Sequence, residues 1–61
     1  MKLKELVRIL DFDEPVMVSD VSSRNGITVA CEACKLPIEI MGDLKVVFET
    51  RKEGYLEVEV M

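Results

Sequence analysis

The stretch LKVVFETRKEGYLEVEVM, residues 44–61, decides how this chain folds. Leu56, Val58 and Val60 alternate with Glu57 and Glu59, the period-two pattern of a strand with one buried face. Val46 and Phe48 continue that pattern on the other side of Gly54, so the segment reads as a hairpin. A two-residue loop at Glu53-Gly54 would set Val46 and Phe48 on the same face as Glu57 and Glu59. A three-residue loop, Lys52-Glu53-Gly54, instead pairs Phe48 with Val58, Val46 with Val60 and Thr50 with Leu56. It also gives Gly54 the left-handed position of a G1 bulge, so the three-residue loop is the expected one.

Upstream, PVMVSDVSSRNGITVACE (15–32) reads as a second hairpin around Asn25-Gly26, a dipeptide that tolerates the positive φ angles of a type I′ turn. A two-residue loop there places Val18 opposite Ala33, Ser22 opposite Val29, Arg24 opposite Ile27 and Val21 opposite Ala30. Val16, Val18, Ile27, Val29 and Cys31 then share one face, with Asp20 a blemish opposite Cys31 where a bulge is expected. Before it, KLKELVRILD carries Leu3, Leu6, Val7 and Leu10 at helical spacing, and Pro15 with the acidic DFDE stops that helix near Leu10. Between the hairpins, Pro37 and Gly42 bracket Ile38, Ile40 and Met41, which predicts a single helical turn or an extended PIEIM.

These pieces predict one α+β domain over 1–61: two layers, with an N-terminal helix on a four-stranded, mainly antiparallel sheet built from two hairpins. The inner layer is Leu3, Leu6, Val7, Leu10, Val16, Val18, Ile27, Val29, Leu44, Val46, Phe48, Leu56, Val58 and Val60. A chain of 61 residues buries only roughly 60% of its unfolded surface, so a partner subunit would add useful burial.

Composition bounds the function. Hydrophobic residues make up 49%, too many for a disordered chain. The net charge of −4 repels phosphate backbones and anionic membranes, which argues against nucleic acid and lipid as partners. No apolar run approaches a bilayer span, and the charges of MKLKELVRIL do not suit a signal peptide, so the cytoplasm is expected. The chain has no histidine, P-loop or dinucleotide fingerprint, so an enzyme is not expected, and no cofactor is implied.

Cys31 and Cys34 form one C-x-x-C. Zinc needs four ligands, so a metal site would have to be shared by two copies, and a thioredoxin-like redox role needs a βαβ scaffold. Packing is the reading preferred for both thiols. Asp11, Asp13 and Glu14 lack the calcium-loop pattern and read as a solvated turn, while Glu57 and Glu59 read as solvent-facing strand residues. The remaining feature is the outer face of the sheet, where Met17, Val21, Ala30, Val47, Tyr55 and Met61 lie among Ser19, Ser23, Thr28, Lys45, Glu49, Arg51, Glu57 and Glu59. One helix cannot cover both faces, so this side is the candidate interaction face.

The opening LKELVRILDFDEPVMVSD resembles the start of small, mostly uncharacterised proteins of bacteriophages and mobile elements. Their pattern L-x-E-L-x-x-x-L-D-x-D-x-x-V-x-V falls here on Leu3, Glu5, Leu6, Leu10, Asp11, Asp13, Val16 and Val18. The resemblance covers about a third of the chain, implies a similar α+β fold and carries over no catalytic residue. Three functions are therefore weighed. The first is a non-enzymatic interaction module that binds itself, as a homodimer through the outer face or a sheet edge, or binds another protein. The second is a phage-type inhibitor whose acidic surface blocks a basic nucleic-acid enzyme. The third is a thiol or shared-metal module at Cys31 and Cys34.

Overall fold

The computed structural model describes every residue except Ser23 and Asn25. Helix α1 spans Leu3–Ile9, strand β1 Pro15–Asp20, β2 Thr28–Glu32, helix α2 Ile38–Met41, β3 Val46–Lys52 and β4 Tyr55–Val60, with a 3-10 turn at Ala33–Lys35. The two-layer α+β architecture expected from the sequence is present. Its four strands run in the order β2-β1-β4-β3. Each hairpin is antiparallel, but the two meet through β1 and β4, which lie parallel, so the sheet is mixed.

Helix α1 begins where the Glu5 carboxylate accepts a hydrogen bond from the Lys2 N–H at 2.9 Å, satisfying a donor the helix cannot. It ends at Leu10, whose backbone turns extended. Leu3 and Leu6 are buried while Val7 and Leu10 pack half-buried beside them, as the spacing predicts. Gly42 closes α2 with an ordinary right-handed φ of −60°. Glycine is required there by space: a Cβ would strike the backbone oxygen of Ile38. Pro37 stands one position ahead of the first helical residue and serves as the N-cap.

The core joins both hairpins: Val16, Val18, Leu56, Val58 and Val60 are buried under Leu3 and Leu6. Sequence spacing missed Ala33, Leu36 and Met41, which also enter the core. They lie in the short segment between the hairpins, where no regular period announces a buried face. Two expected core residues are outside it. Ile27 is 54% exposed and Phe48 is 47% exposed.

Both exceptions follow from strand register. In the first hairpin Val18 pairs with Val29 rather than Ala33, and Val16 with Cys31. The displacement, from 33 to 29, is an even number of residues, so the paired residues of β1 and β2 keep their predicted faces. What changes is the loop, which now begins after Asp20 and leaves Ile27 at its margin. The expected two-residue turn falls partly on Asn25, outside the described residues. Asp20 does not face Cys31; it pairs backbone to backbone with Ile27, and its carboxylate accepts hydrogen bonds from the Ser22 N–H and hydroxyl.

The second hairpin departs from expectation by one residue, which does reverse faces. Lys52 pairs with Tyr55, so the loop is the two-residue Glu53-Gly54 that alternation argued against. Among the described residues no non-glycine has positive φ and Gly54 sits at +89°, the sign combination of a type II turn. Phe48 consequently faces Glu59, and Glu49 faces Val58. A bulge between Val46 and Phe48 then restores parity, returning Val46 to its expected partner Val60.

Candidate functional site

The helical segments occupy one side of the sheet, and the register fixes what stands on the other. One cross-strand row reads Ala30, Met17, Glu57 and Thr50; the next reads Thr28, Ser19, Glu59 and Phe48. Ser19 and Thr28 link their hydroxyls at 3.2 Å within the second row. At the end of the sheet where β1 and β4 begin, Pro15, Met17, Ala30 and Tyr55 line an open, mostly apolar trough of about 700 Å³, rimmed by Glu32 and Lys35. Lys35 donates to Glu32 at 3.1 Å, and this bond, with the carboxylate's charge, raises the pKa of the ammonium.

Of the predicted interaction residues, Met17, Ala30 and Tyr55 are therefore gathered at one place. Val21, Val47 and Met61 lie toward the opposite end, where β1 and β4 finish and β3 starts. Val21 donates its N–H to the Val60 carbonyl at 2.9 Å, and Met61 exchanges backbone hydrogen bonds with Lys45 at 2.9 and 3.0 Å. Val47 is the bulged residue and is 45% exposed. Ser23 lies outside the described residues. Glu49 and Arg51, expected on this face, pair with the inward residues Val58 and Leu56, and Phe48 and Thr50 take their place. Arg51 reaches across to form an ion pair with Glu14. The signal that could have identified Phe48 is the bare Glu-Gly turn read together with a compensating bulge.

Cys31 and Cys34 do not share a face. Cys31 stands half-buried on the inward side of β2 opposite Val16, whereas Cys34 is exposed on the 3-10 turn, and both are free thiols. That turn is fixed by backbone bonds from Ala33 N–H to Glu14 and from Cys34 N–H to Phe12, at 2.8 and 2.9 Å. Among the described residues no group of three or more His, Cys, Asp or Glu is placed to hold a metal ion. The acidic cluster Asp11, Asp13 and Glu14 occupies the connection between α1 and β1, with Asp11 and Asp13 exposed.

Elsewhere the carboxylates serve the helical layer. Asp43 accepts from Lys4 at 2.8 Å, and that bond together with the Lys4 and Lys2 charges lowers its pKa. The Lys2 N–H lowers that of Glu5. Among the described residues no helix is long and apolar enough to cross a membrane. Compared with protein-family models, curated proteins and solved structures, the chain matches none.

Proposed function

We propose that this chain is a non-enzymatic protein-interaction module that associates with itself. The observation that carries the reading is the one-sided placement of the helical layer. It leaves Met17, Ala30 and Tyr55 clustered on the bare side, at the margin of a sheet whose other face is packed. Small and apolar side chains gathered on a flat strand surface lose water at little conformational cost when a partner covers them.

The alternative, an acidic surface occupying a basic groove in the manner of a phage-encoded inhibitor, draws on the net charge of −4 and the resemblance of residues 3–18. Its support is thinner because the carboxylates are dispersed. Glu57 and Glu59 stand on the outer face, Asp43 belongs to the helical layer, and Glu14, Glu32 and Asp43 are each tied to a neighbouring cation. A thiol module would have to draw together Cys31 and Cys34 from opposite surroundings. Sedimentation or light scattering from micromolar to millimolar protein tests the preferred reading. A mass rising from 6.9 kDa toward twice that value is expected. A mass that stays at the single-chain value throughout removes the reading's support.

A further inference from the structure

Hydrogen bonding along β2 has a phase. Asp20 N–H donates to Ile27 at 2.8 Å and Ala33 N–H to Glu14 at 2.8 Å, so residues 27, 29, 31 and 33 direct their backbone groups toward β1. Thr28, Ala30 and Glu32 therefore direct theirs away from the sheet, where among the described residues no strand follows β2 in the order. This row carries no proline, lysine or bulge, the devices by which proteins keep edges from pairing. Its single charge, Glu32, is already matched by Lys35.

The core is also open on this side. Val29 and Cys31 are only half-buried, and an apolar cavity of about 330 Å³ opens among Ile27, Val29, Pro37, Ile40, Met41 and Leu44. At its margins Ile27 is 54% exposed and Ile40 82% exposed. Asp20, the charged residue in this lining, is held by Ser22.

From these two observations we infer that β2 pairs antiparallel with β2 of a second copy, about a two-fold axis at Ala30, to make one continuous eight-stranded sheet. The inference rests on the self-association proposed above and assigns it to an edge. In this register the two Ala30 residues exchange both backbone hydrogen bonds, Thr28 faces Glu32 of the second copy, and Val29 faces its Cys31. No like charges stand opposite each other. That matters because each chain carries a net −4, so two copies can approach closely only along a locally neutral surface. A second copy also supplies what the open core lacks, since its own Val29, Cys31 and Ile40 arrive on the same side of the joined sheet.

Sedimentation equilibrium on the whole chain, with far-UV circular dichroism to confirm folding, tests this. Ala30→Pro removes an outward N–H and should weaken the Kd by roughly tenfold or more, because both symmetry-related bonds are lost. Ala30→Lys sets two cations against each other at the axis and should do the same; its side chain is exposed, so it decides the matter should the proline variant fail to fold. Thr28→Lys faces Glu32 of the second copy and should tighten association roughly two- to tenfold. Glu49→Gln combined with Lys52→Gln alters the far β3 edge without changing the net charge and should leave the Kd within about twofold, while Met17→Ser combined with Tyr55→Ala reads the contribution of the outer face separately. If the natural chain associates but only the Met17/Tyr55 variant dissociates it, the edge assignment is overturned while self-association stands. Weakening by Thr28→Lys overturns the register centred on Ala30. A natural chain that never associates overturns both the inference and the reading beneath it.

Discussion

Strand β3 meets solvent with its first residue already engaged, since Val46 N–H donates to the Met1 carbonyl at 2.8 Å, and just ahead of the strand the Leu44 carbonyl accepts from the Leu3 N–H at 2.9 Å. A bulge follows at Val47, and then the exposed charges of Glu49, Arg51 and Lys52. Strand β2, at the opposite edge, has an unbroken register of five pairs and a single charge, Glu32, that Lys35 already pairs. Both strands are the outer members of antiparallel hairpins in one sheet, so position alone does not explain the difference. A guarded edge blocks further strand addition, and an unguarded one invites it. Under the inference drawn above, strand addition would proceed on the β2 side and end at two copies, because the guarded β3 edge does not accept a further strand.

The largest expected effect separates the packed centre from the open edge. Leu56→Ala, in the second hairpin and buried, should cost about 2–5 kcal/mol in urea unfolding. Ile27→Ala, at the loop margin of the first, should stay within about 0.5 kcal/mol in the dilute single chain. Equal losses would mean that the first hairpin is packed like the second.

Next in size, Gly54→Ala places a side chain at φ +89° and should cost about 1–3 kcal/mol, although a Cβ there would meet nothing. Gly26 sits at +59°, within the left-handed well that Asn also visits, so Gly26→Asn should cost clearly less. A reversed order in thermal melts would remove the distinction between the two turns.

Phe48→Ala discriminates the two registers of the second hairpin directly. Buried against Val58, Phe48 would be worth about 3–5 kcal/mol; facing Glu59 at the surface, its loss should cost under about 1 kcal/mol.

The smallest effect belongs to the helical layer. Hydrogen bonding lowers the pKa of Glu5 and of Asp43 in the folded chain. Their contribution is complete above the ordinary carboxylate range and is lost as the pH falls below about 4 and through the lowered folded values. Both groups are fully exposed, so the acid limb of a stability profile should flatten only slightly in Glu5→Gln. No flattening at all would disconnect the Lys2–Glu5 bond from folding.

The two hairpins also show which parts of the structure were legible in the residues. Alternation in Leu56, Val58 and Val60 and helical spacing in Leu3 and Leu6 identified the buried faces correctly, because burial pattern is a local property of each element. Register was harder. The even displacement in the first hairpin moved Val18 from Ala33 to Val29 without altering any face, so Met17 and Ala30 remained where alternation put them. The single-residue change in the second exchanged Glu49 and Arg51 for Phe48 and Thr50, and the bulge at Val47 that permits it has no glycine to announce it. Tyr55 escaped because β4 keeps its own alternation whatever the turn does. The trough was half legible for the same reason: its apolar floor follows from parity, whereas Glu32 and Lys35 depend on the 3-10 turn.

Backbone amide exchange measured residue by residue at two protein concentrations tests the central claim most directly. If β2 joins β2 of a second copy, Ala30 exchanges rapidly in dilute solution and becomes protected at high concentration. Val29, already bonded to β1, should change far less, and the β3 edge should not change. An Ala30 amide that exchanges equally fast at both concentrations, in a sample shown to be dimeric, would contradict the claim.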